Sequence, residues 1–469
     1  MRVGVYSPLP PQRSGISDYT VELLPHLARH AEVELIVDDG FRPDAGPLGG
    51  RPVHEARNLP RLLESGALDV VVYHLGNNVD YHAGIRRSAL ATPGVAVIHD
   101  VVLHHLVLGA TLHRGDAAGY VAELRYCCGR TGEAAGLRAV DPGVPVDPWT
   151  FPLFERLVDR SLAVLVHNAF SRDRILASRA TARVEIVPHH LSLDDFTSAP
   201  GAAGQSGAGG ASDEGVAERR IEARRRLDIP DTALVFSSFG FITGAKLPFA
   251  VLDAFARVRR EVPEARLILA GEISPYFDFD SGLDRRLLDG VTVTGRLDLE
   301  HFLWHMAACD VAVNLRWPTA GETSGTLIRL LGLGKPIVVT NAGAFAEIPD
   351  GCCAKVEHDA TEAEHLYALL RRLAVDAPLR LRMGENARRY AVTHHAIERS
   401  AAGYAALLAE VVERKPQPFR ALPPLAAGRA GDLRNDVLER VSAGLVDLGV
   451  GEEDEDILAA VAARAADVL

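Results

Sequence analysis

The stretch Val311–Thr340, VAVNLRWPTAGETSGTLIRLLGLGKPIVVT, restricts the fold more than any other part of the chain. VAVNL is a short apolar run of the length of a buried strand. Pro318 ends it, and Thr319–Gly325 is loop chemistry. Helical spacing begins at about Thr326 and stops at Gly334-Lys335-Pro336, after which IVVT reads as the next buried strand. The loop therefore lies where the carboxyl end of a strand meets the amino end of a helix. Ligands of open α/β sheets bind there, and the helix end favours an anion. Gly321 and Gly325 allow close backbone approach, and the Glu322 carboxylate can only accept hydrogen bonds, which suits it to hydroxyl groups.

A chain of 469 residues is too long for one ordinary core, so two α/β domains are expected. A net charge of −12 argues against nucleic acid as a partner. Five cysteines, with Cys127-Cys128 and Cys352-Cys353 adjacent, give neither a disulfide framework nor a metal spacing, so a reduced cytoplasmic setting is expected. Arg2 leads directly into a strand-like run, which does not read as a signal peptide. No apolar run has the length of a bilayer span, so any membrane contact would be peripheral.

The same alternation runs through the rest of the chain. MRVGVY is a strand, Ser7–Gly15 a Pro/Gly loop, and Ile16 onward a helix; VELIVDD, LDVVVYHLGNN, GVAVIHD and ARVEIVPHHL are further strands. Residues 197–217 are small and polar without periodicity. ALVFSSFGF, ARLILAGE and VTVTGRL then open a second alternation, and helices follow at roughly 361–375 and 377–412. Strands alternating with helices imply mostly parallel sheets. The expected organisation is a Rossmann-like domain over 1–196, a flexible linker over 197–218 and a second Rossmann-like domain over 219–385. A helix over 386–412 crosses back to the first domain, and a Pro-containing linker and helical tail occupy 413–469.

Several stretches, in order, resemble the retaining, nucleotide-sugar-dependent glycosyltransferases of family 4, which have the GT-B fold. They are PPQRSGISDYTVELL, PGVAVIHDVVLHH, SFGFITGAKLPFAVLDAFARV and the opening stretch, whose GETSG resembles one subgroup; together they cover roughly residues 1–412. The resemblance implies two Rossmann-like domains facing across a cleft. It implies transfer of a hexose from a nucleotide-diphosphate sugar to a carbohydrate or lipid-linked acceptor, with no obligate cofactor and no metal. By the same resemblance Gly15 lies against the diphosphate and Lys246 neutralises the leaving group beside Gly240. His99 sits near the transferred sugar. Glu322 binds the donor hexose, with Thr323, Ser324 and Gly325 adding polar and backbone groups. Arg316 is expected to reach the phosphates, and Asp100 to be structural.

The chain departs from the family pattern twice. A second Glu, which normally grips the donor ribose, is replaced near its position by Arg329; Phe241 stands where an Arg often follows Gly240. Asp278-Phe279-Asp280 has metal-binding spacing but lies in a Pro/Gly-punctuated loop, so it reads as surface. Competing readings are a sugar-nucleotide epimerase or phosphorylase of similar architecture, a nicotinamide oxidoreductase, for which no clean G-x-G-x-x-G is present, and a non-catalytic scaffold.

Overall fold

The computed structural model describes residues 1–140, 144–191, 213–418, 454 and 456–461. The first sheet contains β1 (Arg2–Tyr6), β2 (Glu32–Val37), β3 (Val53–Glu55), β4 (Val70–Leu75), β5 (Val95–Ile98), β6 (Ala163–Val166) and β7 (Val184–Ile186). All pairings are parallel and the order is β3-β2-β1-β4-β5-β6-β7. Its two faces alternate as a pleated strand requires. Val3, Val5, Val70, Val72, Val95 and Val97 pack on one side, and Tyr6, Val71, Tyr73, Leu75, Ala96 and Ile98 on the other. Both faces are buried, which is why these strands read as continuous apolar runs rather than alternating ones.

The second sheet contains β8 (Leu234–Phe239), β9 (Ala265–Ala270), β10 (Val291–Val293), β11 (Val311–Asn314), β12 (Ile337–Thr340) and β13 (Ala354–Val356). It is also parallel, in the order β10-β9-β8-β11-β12-β13. In each sheet the winding direction reverses once, between β1 and β4 and between β8 and β11. Loops leaving the carboxyl ends of strands diverge at such a point and leave a crevice.

Two expected boundaries shift. A helix begins at Asp213, inside the 197–218 stretch read as linker, and runs to Arg226. Few apolar residues marked it; its anchor is the buried Arg224, which donates to the carbonyls of Ala308 and Ala233 and pairs with Asp310. Residues 197–212 lie outside the described residues, as does most of the 413–469 tail. The helix expected over 377–412 is two helices, Ala377–His394 and Ile397–Arg414, so the crossing helix does not start at 386. The break carries no Gly or Pro. It arises from contacts distant in sequence: His395 Nδ1 lies 2.7 Å from the His189 carbonyl, and the Leu191 N–H donates to the His395 carbonyl at 2.7 Å. The second bond satisfies the His395 carbonyl, which a continuous helix would have paired internally.

The last helix returns to the first domain. Ala401, Tyr404, Leu407, Leu408 and Val411 join the core beneath β1 and the helix Gly15–Leu27. Among the described residues, no helix is long and apolar enough to cross a membrane.

Candidate active site

The two crevices face each other across a cleft of about 550 Å³. One wall comes from residues that follow β1, β4, β5 and β7, the other from residues that follow β10 and β11. Gly15, His99, Glu322, Thr323 and Gly325 all line it. Gly240, Lys246, Arg316 and Ser324 are not in its wall.

Glu322 is held on three sides. Its Oε2 accepts from Thr319 Oγ1 at 2.9 Å and from the Ala320 N–H at 2.8 Å, and its Oε1 lies 3.0 Å from Arg316 Nε. Arg316 thus touches Glu322 directly and Lys246 feels its charge, although neither lines the cleft. Lys246 donates to the Phe239 carbonyl. Burial pushes this lysine down to about 7, and Arg316 lowers it further while Glu322 opposes. Gly240 has a positive φ of 82°, and a Cβ there would stand 2.8 Å from Lys246 Nζ, so this glycine makes room for the ammonium group.

Ser324 turns to another task. Its hydroxyl caps the helix Gly325–Gly332 by accepting from the Leu327 N–H at 3.2 Å. Gly325 opens that helix beside His189 and Arg329. Across the cleft, Ser14 caps Gly15–Leu27 by accepting from the Ile16 N–H, so two helix amino ends face one space. A Cβ on Gly15 would touch nothing in the protein.

The loop carrying Glu322 is docked on the opposite domain. The Val101 N–H donates to the Ala320 carbonyl at 2.8 Å. Asn168 Nδ2 donates to the Gly321 carbonyl at 2.8 Å and to Thr323 Oγ1 at 2.9 Å, and Ser171 Oγ donates to the Gly321 carbonyl at 2.8 Å. Gly321, with φ of 78°, lies so close to Val101 that a Cβ would stand 2.6 Å from a methyl group. Glu347 reaches the other way and accepts from the N–H groups of Ala169 and Phe170, at the amino end of the helix Ala169–Ser178. Asn168, Ser171 and Glu347 carry no motif, and sequence reasoning missed them.

His99 sits in a run of buried imidazoles. His167 Nδ1 lies 2.8 Å from the Val187 carbonyl, which can only accept, so Nδ1 carries the hydrogen and Nε2 accepts. His99 Nδ1 then donates to His167 Nε2 at 3.3 Å, and His99 Nε2 accepts from His74 Nδ1 at 3.1 Å. One carbonyl thus assigns the tautomers of three neutral rings. Burial keeps them neutral, pushing His74 down to about 3, His167 to about 4 and His99 well below its usual value. Both ring nitrogens of His99 are engaged within the protein. Tyr19 packs against these rings, 5.0 Å from His99 between centroids, and its hydroxyl lies 3.0 Å from that of Tyr404 on the returning helix.

Asp100, read as structural, also lines the cleft. Burial and the facing Glu322 raise its carboxyl to about 7, opposed by a 3.0 Å bond from the Asn77 N–H and by Arg316. Further along, Arg329 reaches over to Glu22 of the first domain. His190 Nε2 lies 3.3 Å from the other Glu22 oxygen. Burial pushes Glu22 up, but His190 and Arg329 outweigh it and hold the carboxyl below its usual value.

Asp278-Phe279-Asp280 is a loop with Phe279 buried in the second domain and Asp278 accepting from the Ser281 N–H. Among the described residues, no group of three or more His, Cys, Asp or Glu side chains is arranged to hold a metal ion.

Residues 240–374 match the family model described as "Glycosyl transferases group 1". A D-inositol 3-phosphate glycosyltransferase from Stackebrandtia nassauensis is 28% identical over 256 residues, covering 51% of this chain. That match spans about half of the relative, 53% of its length. Among solved structures, Anabaena HepE in complex with UDP and glucose aligns with a TM-score of 0.59 at 14% identity, over 87% of this chain and 100% of that one. WaaG, a glycosyltransferase involved in lipopolysaccharide biosynthesis, aligns with a TM-score of 0.55 at 17% identity, over 87% and 99%. The architecture is GT-B: two parallel Rossmann-like sheets with flanking helices, facing across a cleft.

Proposed function

We propose that this protein is a retaining glycosyltransferase that moves a hexose from a nucleotide-diphosphate sugar to a carbohydrate or lipid-linked acceptor. The observation that carries this reading is Glu322. Its carboxylate is fixed by Arg316, Thr319 and Ala320 at the carboxyl end of β11, and it faces the cleft where both sheets reverse direction. A carboxylate so held offers its remaining lone pairs to hydroxyl groups in a fixed direction.

The residues divide the work as follows. Glu322 binds and orients the hexose, with Thr323 and the backbone of Gly325 beside it. Gly15 and Gly325 leave space at two helix amino ends for the diphosphate. Lys246, given room by Gly240, and Arg316 supply positive charge as the leaving group gains negative charge. His99, engaged at both nitrogens, shapes the wall beside the sugar and keeps it uncharged. In the transfer, the bond from the anomeric carbon to the phosphate oxygen breaks. The acceptor oxygen bonds to the same carbon on the same face, and its proton passes to the departing phosphate oxygen. No protein nucleophile is needed. The interdomain dock at Gly321 holds the loop that carries Glu322 against the first domain.

The test is thermal shift and slow donor hydrolysis against UDP-, GDP- and ADP-sugars. One donor is expected to stabilise the protein and to be hydrolysed; in Glu322→Ala the hydrolysis should vanish and the stabilisation should fall to that given by the bare diphosphate. If no sugar nucleotide stabilises the protein, the reading fails.

A further inference from the structure

We infer that Glu22, on the first domain, supplies the carboxylate that grips a vicinal diol of the ligand, the ribose of the nucleoside diphosphate, with Arg329 and His190 as its positioning partners. The inference rests on the glycosyltransferase reading above and gives its nucleotide half a contact.

The cleft wall from the second domain has two parts. Glu322, Thr323 and Gly325 follow β11, whereas Leu297, Asp298 and Leu299 follow β10. β8 and β9 separate those strands, so the two parts lie about 14 Å apart across the sheet. That span suits a sugar nucleotide rather than a single sugar. If the hexose lies at Glu322 and the diphosphate at the two helix amino ends, the nucleoside extends toward Leu297–Leu299. Glu22 and Arg329 stand further along the same two helices. Glu22 shares a face with Gly15 and Asp18, and Arg329 lies one turn beyond Gly325.

A ribose presents two adjacent hydroxyls, and the complement to them is an acceptor with two oxygens and a fixed orientation. The helix Gly325–Gly332 contains no carboxylate. Asp298 is already committed, accepting from the His301 N–H at 2.8 Å and lying 2.8 Å from the His301 ring nitrogen. Asp18 stands a turn nearer the helix amino end, where a bound diphosphate would repel it. Glu22 remains. One of its oxygens is held by Arg329 and the other lies near His190, yet its side chain keeps 16% of its surface exposed and lines the cleft. Arg329 thus stands on the second domain as the orienting cation for a carboxylate brought by the first, so the diol site exists only when the domains are together.

The experiment is calorimetric titration of the full chain with the nucleoside diphosphate of its preferred donor and with the 2′-deoxy form. Wild type should prefer the ribose form by about tenfold or more. Glu22→Gln should bring the two affinities within about threefold. Glu22→Asp, which keeps the charge for Arg329 but withdraws the carboxylate by one methylene, should also lose the preference. Arg329→Met should weaken the preference with Glu22 intact. An unchanged preference in both Glu22 variants overturns the inference and leaves the transferase reading standing. Binding of neither diphosphate by wild type overturns both.

Discussion

The two sides of the cleft are backed by opposite kinds of ionisable group. Behind the first domain's wall lie imidazoles that burial keeps neutral: His74 is pushed down to about 3, His167 to about 4, and His99, which lines the cleft, well below its usual value. Their hydrogens are ordered by one carbonyl, so they hold shape without charge. Behind the second domain's wall lies charge. Arg316, Lys246 and Glu322 act on one another within a few residues of β8 and β11, and Arg329 reaches across the gap. Charge therefore concentrates behind the side proposed to hold the donor; the facing side rests on a stiff, uncharged imidazole cluster, with the carboxyls of Asp18, Glu22 and Asp100 at the cleft. Substitutions on the charged wall should remove chemistry and spare the fold. Changes to the neutral wall should act through stability and its dependence on pH.

The largest effect is expected at Glu322. Glu322→Gln keeps the volume and the bond from Thr319 but loses the charge facing Arg316. Turnover should fall on the order of 10²–10³-fold with little change in melting temperature. A variant that unfolds instead would place Glu322 among structural residues and break the comparison.

Lys246→Met should lower turnover by about 10²-fold. The lysine also predicts a pH dependence. In the free protein it loses its proton as pH rises through about 7, while a bound diphosphate would raise its affinity for the proton. Binding should then take up a proton, and affinity should be full below pH 7 and decline above it. Asp100, raised to about 7, becomes anionic over the same range and acts in the same direction. Titrations in buffers of different ionisation enthalpy measure the uptake. The Lys246→Met variant should lose most of it.

The neutral wall predicts an acid-sensitive fold. His74, His82 and His167 have folded-state values of about 3, 4 and 4, below the ordinary 6.5. The unfolded chain therefore binds more protons between pH 6.5 and 4, and stability falls as pH drops through that window. Each such histidine costs about 1.4 kcal/mol per pH unit there. Melting temperature recorded from pH 7.5 to 5 should bend downward below 6.5; a flat curve would mean these rings accept protons without strain.

The smallest effect concerns the seam between the walls. Asn168→Ala removes the helix cap to Ser171 and two donations to the Glu322 loop, and should cost about 1–2 kcal/mol while raising the donor KM several-fold.

What was legible in the sequence follows from where the information lies. Strands buried on both faces leave apolar runs, so both sheets could be read, and loops at strand ends carry Gly, Pro and polar clusters that mark Gly15, Gly240 and Glu322. Interactions that join distant segments leave no local trace. Asn168 is an ordinary helix cap until Gly321 is brought beside it. The break before Ile397 has neither Gly nor Pro to mark it, and the bonds to His189 and Leu191 that accompany it join segments distant in sequence. Arg329 read as a missing carboxylate, because its partner Glu22 lies on the other domain. Ser324 and Thr323 are adjacent and alike in sequence, yet the Ser324 hydroxyl caps a helix while that of Thr323 takes a hydrogen bond from Asn168.

The most direct test compares a nucleotide sugar with its bare diphosphate. Calorimetry would measure both affinities for wild type and for Glu322→Gln, using the donor that stabilises the protein. The account predicts that wild type binds the sugar-bearing form more tightly, and that the variant binds the diphosphate as before but loses the increment due to the sugar. An increment that survives Glu322→Gln would contradict the placement of the hexose at Glu322, and the absence of any binding would contradict the transferase reading itself.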